Sequence, residues 1–170
     1  DTQTNHQETF LKAVLDASPT IMFVVDDDVR ILECNAAARQ LFAKDQPPFQ
    51  RRGGDALLCL QAVEHPDGCG HAALCRDCVV RNAVTQAIQE GTSTIRKRAV
   101  LELVQGGGQT VDFYALITVV PFDHAGRRLV LLTIENISDL TELWRIVAIC
   151  SCCKKVRADD HSWVSIEEYF

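Results

Sequence analysis

No apolar run in these 170 residues approaches the roughly 20 that a bilayer-crossing helix needs, so no membrane contact is expected within this segment. A charged amino end leading into a hydrophobic core and cleavage site is missing too, so no secretory leader is expected within this segment. Basic charge is in short supply. The 17 Lys and Arg stand against 23 Asp and Glu, and the net charge of −6 argues against a nucleic-acid surface. There is no phosphate-binding loop, no nucleophile with a neighbouring base and no paired catalytic carboxylate motif, so the chain is not expected to be an enzyme. A C-x-x-C-H haem attachment and a flavin-adduct cysteine motif are also absent, as are internal repeats and low-complexity tracts.

What is abundant is cysteine. Eight thiols without a leader sequence point to a reducing, cytoplasmic compartment, where cysteine serves metals or redox chemistry more often than structural disulfides. Apolar content of 47% and charged content of 24% are those of a globular protein, and the length suits one ordinary domain with a short appendage. Cys34 stands alone at a strand end and reads as core. Cys59, Cys69, Cys75 and Cys78 form a cluster spaced C-x9-C-x5-C-x2-C, and Cys150, Cys152 and Cys153 form a second group near the end.

Periodicity orders the elements. Residues 7–16 place Phe10 and Val14 on one helical face, closed by Ser18-Pro19. Ile21 to Val25 is a buried strand, Asp26-Asp27-Asp28 a turn, and Arg30 to Cys34 the returning hairpin strand. Asn35 is a helix N-cap for a short helix from Ala36 to Phe42, and residues 45–55, with Pro47, Pro48, Gly53 and Gly54, are a loop. After the cysteine segment a helix runs from Val79 to a C-cap at Gly91. Three antiparallel strands follow: Thr94 to Val104, Thr110 to Val120 after a Gly106-Gly107-Gly108 turn, and Leu129 to Ile134 after a turn at residues 123–126. The sum is an α+β domain with helices gathered on one face of an antiparallel five-stranded sheet.

The four clustered thiols suit a soft metal centre. Gly68 and Gly70 let Cys69 turn inward, and Cys75 and Cys78 at i and i+3 share one face of a helix that starts near them, with Arg76 and Asp77 pointing elsewhere. Structural zinc prefers two tight cysteine pairs and only one is tight here, so an iron–sulfur cluster, 4Fe–4S in preference, is expected, with zinc and a thiol/disulfide switch as alternatives. His65 and His71 lie close by and stand as substitutes for one cysteine.

Several short motifs in the right order resemble the PAS sensor family over about residues 8–142. They are Ile31-Leu32-Glu33-Cys34-Asn35-Ala36-Ala37-Ala38, Gly54-Asp55-Ala56-Leu57, and the exit Glu135-Asn136-Ile137-Ser138-Asp139-Leu140-Thr141-Glu142. The cysteine segment resembles a minority subgroup of PAS domains carrying G-C-G followed by C-x-x-C. The resemblance implies a PAS fold and a partition into an N-terminal cap helix (1–18), a sensor domain (19–137), a signalling helix (138–149) and a linker segment (150–170). Leu140, Leu143, Trp144 and Val147 keep the spacing of an amphipathic helix that packs on its own domain or on a second copy, so a homodimer is expected.

Beyond it, Cys150-Ser151-Cys152-Cys153-Lys154-Lys155-Val156-Arg157-Ala158-Asp159-Asp160 with Trp163, Ile166, Glu167 and Tyr169 resembles a C-x-x-C-K-K-I-R-D linker module of bacterial signalling proteins. Cys150 and Cys153 would be a second, partial metal site, and the chain looks truncated there. The implied role is the cytoplasmic input domain of a histidine kinase, cyclase or phosphatase regulator. It would sense redox state or oxygen at Cys59, Cys69, Cys75 and Cys78 and pass the signal to an output domain of the same polypeptide. The alternative is a zinc-stapled module for small-ligand sensing or dimerisation.

Overall fold

The computed structural model describes residues 2–42, 47–146, 150, 152–157, 162–165 and 168. The chain divides into two compact units, Asp1–Asn136 and Ile137–Phe170.

The first unit opens with helix α1 (Thr2–Ala17), followed by strands β1 (Ile21–Val25) and β2 (Ile31–Cys34). Short helices α2 (Ala36–Arg39), α3 (Gly53–Ala56) and α4 (Leu60–Glu64), then a 3₁₀ turn (Ala73–Asp77), lead to the long helix α5 (Val79–Glu90). Strands β3 (Thr94–Val104), β4 (Thr110–His124) and β5 (Arg127–Asn136) complete it. The five strands form one antiparallel sheet in the order β2-β1-β5-β4-β3. Its first and last strands in sequence are therefore neighbours, with Phe23 opposite Leu132.

Helix α5 spaces Val80, Ala83, Val84 and Ala87 along one stripe, and all four are buried on the sheet against Phe23, Ile117, Val119 and Leu132. Each fully buried Val or Ile contributes about 1.5–3 kcal/mol of apolar transfer. Gly91 adopts the left-handed conformation and caps α5, as its position predicted.

Asn35 ties the amino end together. It is buried, its Oδ1 accepts from the amides of Met22 (3.0 Å) and Ala38 (3.0 Å), and its Nδ2 donates to the carbonyls of Leu15, Ser18 and Thr20. The expected N-cap is thus also a clamp between α1, β1 and α2.

Three expected boundaries are corrected. Helix α2 stops at Arg39 rather than Phe42, because Leu41 and Phe42 close onto the carbonyls of Ala38 and Arg39 and Phe42 turns edge-on to Phe23, ring centroids 6.1 Å apart. The expected loop over residues 45–55 contains the start of α3. Its approach is fixed because Ile31 N donates to Arg51 O and Gly53 N donates to Val29 O, so the chain crosses β2 before it turns. Asp45 lies outside the described residues. Strand β4 runs to His124 and not Val120, because the β4–β5 hairpin turns on only two residues, Ala125 and Gly126. Both have positive φ (49° and 76°), as the tight turn matching strand twist requires.

The second unit holds helix α6 (Ser138–Ile146) and a small hairpin of β6 (Val156–Arg157) with β7 (Trp163–Val164). Val147, Ser151, Ala158, Asp159, Asp160, Ile166, Glu167 and Tyr169 of the expected amphipathic and linker motifs lie outside the described residues.

Candidate functional site

The cysteine segment is built outward from α3. Leu58, with φ of 56°, bends the chain so that Cys59 heads α4 and bridges Leu103 of β3, while Val104 N donates to Leu58 O at 2.8 Å. A bulky residue at positive φ is uncommon, and here the sheet edge holds it. Cys69 sits at the tip of a turn whose amide donates to Asp55 Oδ1 at 2.7 Å.

The flanking glycines are required twice over. Gly68 and Gly70 have φ of 75° and 97°, a Cβ on Gly68 would fall 2.5 Å from Asp55 Oδ1, and one on Gly70 would fall 2.7 Å from Arg81 Nη2. Gly54 is needed for space alone, since a Cβ there would lie 2.7 Å from Cys69 Sγ and 3.4 Å from Cys59 Cβ. Cys75 is buried in the 3₁₀ turn, and Cys78 is the N-cap residue of α5.

Cys59, Cys69, Cys75 and Cys78 all line one cavity of about 230 Å³, whose remaining wall is largely apolar, with Val25, Ile31, Leu132 and Ile134 among its lining residues. Two expectations change. Cys75 and Cys78 do not share an α-helical face. A 3₁₀ turn eclipses side chains three apart, and that geometry brings both to the cavity. Asp77 also lines the cavity rather than pointing elsewhere. His65 and His71 stack on each other at 6.0 Å and are not among the lining residues. Cys34 is buried in the core, where burial pushes its thiol above the ordinary value.

The electrostatics separate the thiols. Burial pushes Cys59 up, the amides of Gln61 and Ala62 at the start of α4 oppose this, and the Cys69 and Cys78 sulfurs push it further up. Those influences place Cys69 and Cys78 within electrostatic reach of Cys59. Arg81 Nη2 donates to Cys69 Sγ at 3.6 Å. Burial acts to lower the Arg81 guanidinium, but Cys69 and Asp28 outweigh it and hold the cation firmly charged. All eight cysteines are free thiols, and among the described residues no three His, Cys, Asp or Glu side chains are already gathered as a metal-binding group.

What the four cysteines share is the wall of one cavity: Arg81 reaches Cys69, Cys78 caps the amino end of α5, and Gly54 leaves room beside Cys69. Sequence reasoning assigned Gly54 and Asp55 to a motif and a turn, and it passed over Arg81. Asp55 announces itself only through its bond to Cys69, and Arg81 looks like an ordinary polar-face residue until the fold brings it to that sulfur.

In the second unit Cys153 N donates to Cys150 Sγ at 3.5 Å, and Cys150 N donates to Lys155 O. The amides of Cys153 and Cys152 pull the Cys150 thiol below its ordinary value.

Residues 9–70 match the family model described as a PAS domain. The PAS domain of nitrogen regulation protein NR(II) from Vibrio parahaemolyticus is similar in fold, with TM-score 0.50 and 20% identity over 75% of this chain and 97% of that one. The PAS domain of Bordetella pertussis BvgS matches with TM-score 0.51 and 20% identity, over 83% and 93% of the two chains. An RNA-binding light-oxygen-voltage receptor matches with TM-score 0.52 and 16% identity, over 82% of this chain and 36% of that one. No curated protein sequence matches. The first unit has the fold of these PAS domains, and the family match over residues 9–70 agrees with its five-stranded antiparallel sheet.

Proposed function

We infer that the chain is a sensory input module of a signal-transduction protein, reading redox state or oxygen through a thiolate centre held by Cys59, Cys69, Cys75 and Cys78. One observation carries this: four cysteines spread over twenty residues, on four different local structures, all open on the same cavity. Free cysteines placed only as small hydrophobes have no reason to converge in this way.

An iron–sulfur cluster, 4Fe–4S in preference, is the occupant that suits the space. Four thiolates drawn onto one zinc ion at about 2.3 Å would have to close the cavity they line, whereas a larger guest leaves it open. When bound, the cluster supplies one-electron redox chemistry. The chain's own residues do the rest. Asp55 holds the Cys69 turn, Gly54 keeps its place clear, and the apolar wall limits water.

Cys75 and Cys78 join the centre directly to the start of α5, which packs on β3, β4 and β5. A change at the centre thereby has a route into the sheet and out through β5 towards α6. The output is an attached domain of a kinase or cyclase type, and a homodimer is the working assembly. No helix among the described residues is long and apolar enough to cross a membrane. The reducing environment expected for eight free thiols is the cytoplasm.

A disulfide switch is the second reading, because Cys59 Cβ and Cys69 Cβ both lie within 3.4 Å of the point where a Gly54 side chain would begin. Anaerobic reconstitution with iron and sulfide separates the alternatives. The expected product is brown, holds about four irons per chain by the cluster's stoichiometry, and bleaches in air. Colourless protein that instead forms a Cys59–Cys69 crosslink on oxidation would replace the cluster by the switch, and one tightly held zinc unaffected by oxidant would replace it by a staple.

A further inference from the structure

A second cavity, of about 610 Å³, opens in the first unit beside the one that the cysteines line. The α3 segment divides the two. Gly53 and Gly54 line the cysteine cavity, Ala56 and Leu58 line the second, and Leu57 lines both. Leu41 and Phe42, past the end of α2, and Leu103 and Phe113, on β3 and β4, supply apolar wall to the second. Sites for small organic molecules span about 300–1,000 Å³. The cysteine cavity, at about 230 Å³, falls short of that range, and the second sits within it.

Its apolar rim is left open. Leu41 and Leu58 each keep 44% of their surface exposed. Leu58 does so at a φ of 56°, a conformation uncommon for a bulky residue, and strain of this kind gathers where ligands are held.

Arg51 is the one charged side chain that lines the cavity among the described residues. Its backbone is pinned on both sides: Arg51 O accepts from Ile31 N at 2.9 Å, and Arg51 N donates to Pro48 O at 3.2 Å. The half-buried side chain donates from Nη2 to Asp55 O at 2.6 Å. Among the described residues it forms no ion pair. A guanidinium has more N–H donors than that one bond uses, and a partly desolvated cation gains from an anion beside it.

We propose that this second cavity binds a small organic monocarboxylate, its apolar body against Leu58, Leu103 and Phe113 and its carboxylate on Arg51. One cation suits one negative charge, whereas a phosphate monoester would bring close to two. The planar carboxylate also matches the guanidinium fork. The site does not rest on the thiolate centre, although the two cavities share Leu57, Leu101, Leu103 and Ile134 as wall.

The test titrates the full chain without metal with octanoate and phenylacetate, and with their neutral amides, octanamide and phenylacetamide. Calorimetry should find at least one acid bound about tenfold or more tightly than its amide, as hydrogen bonds to a charged group imply. Backbone amide NMR shifts should move at residues 56–58 and 103–106 and stay in place at 75–81. Arg51→Met should reduce the acid to the affinity of its amide, and Arg51→Lys, which keeps the charge, should recover part of the loss. Leu58→Gly suits the positive φ and should weaken acid and amide alike by about fivefold or more. Thermal melting establishes that each variant folds; should Arg51→Met fail to, the acid-to-amide ratio of the unaltered chain and Leu58→Gly still decide. Equal binding of acid and amide, no binding of any probe at millimolar concentration, or shifts confined to residues 75–81 would overturn the site. Iron uptake is measured separately, so its failure would remove the proposed cluster without touching this result.

Discussion

The molecule carries cysteine in two settings that chemistry alone would not distinguish. In the first unit four cysteines line one largely apolar cavity, and burial is what pushes Cys59 up. In the second unit Cys150 stands at a turn near two exposed cysteines, and backbone amides donated to its sulfur pull it down. The same side chain is thus turned towards the neutral thiol by desolvation in one place and towards the thiolate by hydrogen bonds in the other. What the contrast teaches is that a sulfur's role follows from what surrounds it: a set lining an apolar cavity suits retention of a guest, and a half-buried thiol held towards the thiolate by amides suits exchange with solvent reagents.

The sharpest way to break this comparison is substitution by serine. Replacing Cys59, Cys69, Cys75 or Cys78 singly should abolish iron retention after anaerobic reconstitution, while Cys150→Ser with Cys153→Ser leaves the iron-to-protein ratio unchanged. Equal losses from both sets, read by iron analysis and visible absorbance, would make the two settings equivalent. Reactivity gives the next largest effect. In the metal-free protein at neutral pH, mass spectrometry should find Cys150 alkylated by iodoacetamide faster than Cys59, since a lowered thiol carries more thiolate and a raised, buried one carries less.

Packing follows. Gly54→Val would drive a side chain into Cys69 Sγ, and overpacking of this kind costs about 1–3 kcal/mol. A lowered melting temperature with loss of iron uptake is expected. Retained uptake would show that Gly54 leaves more room than its contacts indicate.

The smallest effect is on pH dependence. Cys59 and Cys34 have folded values above the ordinary 9.0. The folded protein therefore keeps these protons more tightly than the unfolded chain. Their stabilisation is whole below pH 9 and is lost as pH rises through the folded values. Cys150, which is lowered, works in the opposite direction. Denaturant melts of the metal-free chain between pH 8 and 10, scales set by those ordinary thiol values, should show stability falling, and Cys59→Ser should flatten the fall.

Much of the scaffold was legible because its signals are local. Ile21 to Val25 is a run bounded by three aspartates, Val80, Ala83, Val84 and Ala87 repeat at helical spacing, and Gly91 ends their helix. Asn35 was recognisable as a cap for the same reason, but not as a clamp, because its bonds to Leu15, Ser18 and Thr20 cross fifteen to twenty residues of chain. The end of β4 was misplaced because the backbone conformation of Ala125 carries no composition signal. The cysteine set was visible as a set. Its supporting cast was not.

By itself the amino-acid sequence determined the order of strands and helices, the antiparallel sheet and the four sulfurs worth watching, since each follows from periodicity, turn residues or residue type. Only the tertiary structure decided that those sulfurs face one cavity, that Gly54 clears a place beside Cys69, and that Arg81 stands between Cys69 and Asp28. The physical reason is distance along the chain. Asp28 and Arg81 lie 53 residues apart, and no local propensity encodes a contact that exists only once α5 has packed across the sheet.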